Sequence, residues 1–121
     1  NIKPAIPKVH DSVTDLTYLR DYCEGDEKKM KKHIDFFMKS APSFLDVLDE
    51  LIVNNDAEGI ANHVHGFNTI ISMMGINVLK DVFMHIENEM RDHGDISLIK
   101  EKVEELVIVI NKAQNELSLL N

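Results

Sequence analysis

Residues 56–90 read DAEGIANHVHGFNTIISMMGINVLKDVFMHIENEM, and this stretch decides the fold. Its apolar residues fall in two stripes. Ile60, Val64, Phe67, Ile71 and Met74 follow one another at steps of four and three, and Leu79, Val82, Phe83, Ile86 and Met90 repeat the pattern. Such steps line up side chains on one face of an α-helix. Gly75 stands between the stripes, where a helix end needs a residue tolerant of left-handed backbone. Two amphipathic helices joined by a short turn pack as antiparallel neighbours.

The same pattern extends in both directions. Upstream, Asp26 caps a long segment with apolar residues at Met30, Ile34, Phe37, Ala41, Leu45, Leu48 and Ile52. Pro42 lies inside it and predicts a kink or two abutting helices. Asn54-Asn55-Asp56 make the following turn. Downstream, Gly94 closes one helix and Asp95 caps the last, with Ile99, Val103, Leu106, Ile110, Ala113 and Leu117 on its inner face. Leu16, Leu19 and Tyr22 predict a short helix that Gly25 ends. The expected architecture is all-α: an antiparallel up-down four-helix bundle with a short extra N-terminal helix. Residues 1–13 (NIKPAIPKVHDSV) hold two of the three prolines and no periodicity, so they read as a linker or tail to a domain at 14–121.

Composition narrows the function. A chain of 121 residues is one domain by length. It buries about two thirds of its unfolded surface, so no metal or disulfide staple is required. The net charge of −8 argues against nucleic acid and against direct contact with an anionic membrane. A single cysteine, Cys23, excludes an internal disulfide and a Cys-rich zinc site. No apolar run approaches the ~20 residues of a membrane span. The chain starts at Asn1 with a proline-bearing leader, from which either a module of a longer protein or a stand-alone protein with a trimmed N-terminus is expected.

Six histidines are the candidates for chemistry. His63 and His65 are two residues apart, which on a helix turns them about 200° from one another and unsuits them to one metal ion. Helical metal pairs use i, i+4 spacing, so a metal-binding bundle is a weak third reading. His65 lies one residue past core position Val64. On its side of the helix stand Ala61, Asn68, Thr69 and Ser72, all small or polar, which would let a flat protein surface approach. From residue pattern alone it is an ordinary solvent-facing histidine. The six methionines at helical spacing read as core filler, His85 as surface, and the Lys28-Lys29-Lys31-Lys32 cluster as a solvated helix face.

From Asp56 to Glu87 the chain resembles a histidine-containing phosphotransfer (HPt) domain. His65 follows Asp56 by nine residues, Gly75 follows His65 by ten, and Glu87 by twenty-two, with no gap needed. Asp15-Leu16-Thr17-Tyr18-Leu19, Gly25-Asp26-Glu27 and Phe36-Phe37 with Pro42 fit the family's N-terminal half. The sequence departs from the pattern twice: Asn68 stands where the family has lysine, and Thr69 where it has glycine. Asn68 donates a hydrogen bond but carries no charge.

The resemblance implies a phosphocarrier without autokinase activity. His65 would accept a phosphoryl group from an aspartyl phosphate on a receiver domain and pass it to another receiver. Glu87 would orient His65, Asn68 would contact the phosphoryl group, and Ala61, Thr69 and Ser72 would form the docking surface. No cofactor is expected on this chain, since the Mg²⁺ would sit on the receiver. The implied partners are response-regulator receivers, a hybrid sensor kinase among them, and the expected site is the cytoplasm, with a monomeric chain. The loss of the motif lysine leaves open an HPt-like bundle that only binds a receiver or kinase domain.

Overall fold

A computed structural model describes residues 12–120. The first eleven residues of the expected leader, His10 among them, and Asn121 lie outside the described residues. Five α-helices are described: α1 (Thr17–Tyr22), α2 (Glu27–Val53), α3 (Ala57–Met73), α4 (Val78–Asp92) and α5 (Lys100–Ser118). None of the described residues forms a strand.

The caps are where side-chain chemistry asks for them. Asp26 accepts from the backbone N–H groups of Lys28 and Lys29, and Asp56 accepts from that of Gly59. Each carboxylate satisfies amide donors that the first turn leaves unpaired. Asp95 does the same, but for a single 3₁₀ turn (Ile96–Ile99) that leads into α5 rather than for α5 itself. Pro42 sits within one continuous helix, not between two. Its side is exposed, so the carbonyl it leaves without a donor can turn to water.

The four long helices close on themselves. α2 packs on α3, α3 on α4, α4 on α5, and α5 returns to α2. Their facing stripes form one core, in which Ile60, Val64, Ile71, Phe83, Ile86, Leu106 and Ile110 are fully buried. The α3 and α4 stripes are the residues expected. On α2 the expected Leu45 is only half-buried, and Phe44 takes the core position. Its ring lies 4.2 Å from that of Phe67 and 5.8 Å from that of Phe83, both stacked on it. One aromatic side chain thereby joins three helices, a contact leucine cannot make.

The short N-terminal segment is tied to the bundle at the α3–α4 turn and in the core. The Asp15 N–H donates to the Met74 carbonyl at 3.2 Å, and Leu19 is fully buried. Gly75 has φ +64°, and its missing side chain is where the Asp15 carbonyl lies. Any other residue there would collide with the backbone as well as strain its own.

Candidate functional site

His65 and Glu87 face each other across the α3–α4 pair. The Gly75 turn folds α4 back along α3, which brings residues 22 apart in sequence side by side. His65 is on the outer edge of α3 with its side chain 68% exposed, while that of Glu87 is only 20% exposed. The His65 Nδ1 lies 3.2 Å from Glu87 Oε1. An ionised carboxylate can only accept, so the ring donates through Nδ1–H and the Nε2 lone pair is left pointing outward.

The carboxylate is held on its other side too. Arg91 donates from Nε to Glu87 Oε2 at 3.1 Å and from Nη2 to Asn62 Oδ1 at 3.1 Å. A shallow depression beside this network is lined by His65, Asn68, Thr69 and Ser72 from α3 and by Lys80, Met84, Glu87 and Asn88 from α4. On the other side of α3 runs an apolar groove against α2, bordered by Phe44, Val47, Asn62, Gly66, Phe67 and Ile70. His65 thus stands on a ridge between two concave surfaces. Apart from histidine, α3 carries a single charged residue, Glu58, so the ridge is close to neutral.

The expected site residues divide as follows. His65, Glu87, Asn68, Thr69 and Ser72 are brought together. Ala61 is not part of the surface. It is 0% exposed, because position 61 is the neighbour of core residue Ile60 and packs into the core with it. A residue without exposed atoms offers a partner nothing to touch. Met84, expected in the core, is 59% exposed and borders the depression instead. His63 goes the other way from His65: half-buried, it donates from Nε2 to the Phe44 carbonyl at 2.9 Å and stacks on the Phe44 ring. That is a packing role. Among the described residues, no three His, Cys, Asp or Glu side chains gather as a metal site would require, and no helix is long and apolar enough to cross a membrane.

Sequence reading missed Arg91, Asn62, Lys80 and Asn88. Arg91 had a signal, since Glu87 and Arg91 are an i, i+4 acid–base pair on one helix. Lys80 lies two turns before Glu87 on the same face, a pattern that few positions on a polar helix would distinguish. No protein-family model, curated protein or solved structure matches the chain.

Proposed function

We propose that the chain is a phosphocarrier of the HPt type: an antiparallel four-helix bundle that accepts a phosphoryl group on His65 and returns it to an aspartate. The carrying observation is the exposed His65 ring with Nδ1 engaged by Glu87 and Nε2 free. A nucleophile needs access and the right tautomer, and this arrangement supplies both.

In the transfer, the Nε2 lone pair attacks the phosphorus of a receiver's aspartyl phosphate. The P–O bond breaks, its electron pair leaves on the aspartate carboxylate, and an N–P bond forms. The ring becomes cationic and keeps its Nδ1 proton, which Glu87 accepts a hydrogen bond from and whose charge it offsets. Attack by a second aspartate reverses each step. In-line phosphoryl transfer asks little of side chains beyond position and charge. The Mg²⁺ that stabilises the phosphoryl oxygens belongs to the receiver. Asn68, half-buried beside His65, donates a hydrogen bond to them. Thr69 and Ser72 border the docking surface, which the near-neutral α3 leaves open to an acidic receiver site.

Incubation with Mg²⁺ and receiver domains carrying a radiolabelled aspartyl phosphate tests the reading. The expected result is acid-labile, base-stable label on the wild type and none on His65→Gln. Label on neither, together with stable complexes with a receiver, would replace the phosphocarrier with a domain that only binds. Absence of charge at Asn68 is the observation that favours that second reading.

A further inference from the structure

We propose that Arg91 is the positioning residue of the His65 site: it holds the Glu87 carboxylate so that Oε1 faces the ring, and thereby sets the tautomer of His65. The inference rests on the phosphocarrier reading for its consequence, but not for its geometry.

A single 3.2 Å hydrogen bond to a mostly exposed ring fixes a flexible glutamate poorly. Water competes for both partners, and the glutamate loses rotamer freedom in making the bond. Glu87 has a second constraint. Its Oε2 takes the Nε–H of Arg91, and the same guanidinium donates to Asn62 Oδ1. The result is a chain of three hydrogen bonds that leaves α3 at Asn62, runs through Arg91 and Glu87 on α4, and returns to α3 at His65. Glu87 and Arg91 are four residues apart and Asn62 and His65 three, so each pair shares one helix face. The chain closes only when the two helices stand in one register.

Arginine suits this position and lysine does not. The guanidinium is planar, and its Nε–H and Nη2–H point to two different acceptors at a fixed angle. A lysine ammonium can reach the carboxylate but does not tie it to Asn62 in the same plane. Arg91 also places a positive charge next to the site on α4, where α3 has lost it at Asn68.

The test reads the His65 ring directly. Long-range ¹⁵N NMR of the neutral imidazole separates the Nδ1–H from the Nε2–H form. It is run on wild type, Arg91→Met, Arg91→Lys and Asn62→Ala, with His63 as the internal control. Labelling by phosphoramidate is timed on the same samples. Wild type is expected to show the Nδ1–H form. Arg91→Met shifts His65 toward the Nε2–H form that free imidazole side chains favour, leaves His63 unmoved, and slows labelling about tenfold. Asn62→Ala gives the same shift at smaller amplitude, and Arg91→Lys does not restore the wild-type spectrum. Asn62→Ala keeps the question open to measurement should Arg91→Met fold poorly. Wild-type tautomer populations in both Arg91→Met and Asn62→Ala would overturn the proposal. A tautomer shift in a protein whose wild type takes no label would uphold Arg91 as the positioning residue and count against the phosphocarrier reading alone.

Discussion

A histidine that carries a phosphoryl group needs a lone pair on the outside and a hydrogen-bond acceptor on the inside. His65 and Glu87 meet that need from adjacent helices. Glu87→Ala removes the acceptor, and labelling of His65 is expected to fall about tenfold while the fold survives, since Glu87 is at the rim and not in the core. Unchanged labelling would take Glu87 out of the mechanism. The uncharged Asn68 gives a test of opposite sign. Asn68→Lys adds a cation one turn from His65, and the labelled form is expected to last several times longer in hydrolysis assays. His65 and Glu87 stood out in the sequence only through the resemblance to the HPt pattern, since by residue pattern alone His65 is an ordinary solvent-facing histidine and Glu87 an ordinary surface glutamate. Arg91 did not, because an exposed i, i+4 pair is common on helices and usually contributes little. Ala61 was misplaced for a geometric reason: a core stripe is wider than one residue per turn, and a small side chain beside Ile60 fits inside it.

The elements were read from apolar spacing, and spacing failed where shape mattered. Leu45 and Phe44 both continue the α2 stripe acceptably. Only the three-dimensional partners decide, since Phe44 stacks on Phe67 and on His63 and leucine cannot. Of the kink or the two abutting helices that Pro42 predicts, the second does not occur: the helix runs on through Pro42, because the lost backbone donor costs little on a water-facing side. The glycines of α3 make the sharper comparison. A β-carbon at Gly66 meets nothing within 4 Å, whereas one at Gly59 runs into the Asp56 carboxylate that caps the helix and into Leu51. Gly66→Ala is therefore expected to raise stability by about 0.5–1 kcal/mol, the ordinary gain from alanine in a helix interior. Gly59→Ala should lower it by about 1 kcal/mol through loss of the cap. Thermal melts of the two variants check this, and equal shifts of the same sign would contradict the packing described at position 59. If labelling by receivers drops in the stable Gly66→Ala, the open space beside His65 serves docking.

At the scale of the whole molecule, one carboxylate joins the two ends of the described chain. Glu116, near the end of α5, accepts from the Ser12 hydroxyl, the Val13 N–H, and both the N–H and hydroxyl of Thr14. Burial pushes its carboxyl pKa up, but the hydrogen bonds from Val13, Thr14 and Ser12 outweigh it and hold the pKa below the usual glutamate value. Asp15 and Asp95 are lowered too, by hydrogen bonds from Thr17 and Ser97 only two residues away. Those are local turns, whereas Glu116 spans 102 to 104 residues of sequence. The sign follows from linkage. A carboxyl with a lowered folded pKa adds stability that is complete above its unfolded value and is lost as pH falls through the folded one. Acid should therefore loosen the segment leading into α1 before the core fails. Glu116→Gln cannot reproduce the arrangement, because its amide NH₂ would face an N–H or hydroxyl donor. It is expected to cost about 1 kcal/mol at neutral pH, discounted for partial exposure, or roughly 4 °C in Tm for a domain of this size. Between about pH 5 and 3 the wild type should lose stability more steeply than Glu116→Gln, and the two curves should converge at the acid end. Urea melts across that range measure it. Parallel curves would mean that the carboxylate's charge does nothing for the fold and that the clasp is incidental. Because Gly75 packs on Asp15 and begins the return of α4 along α3, loss of the clasp tests one further link: His65–Glu87 geometry should persist in Glu116→Gln, since it depends on the α3–α4 pair and not on the segment clasped to α5.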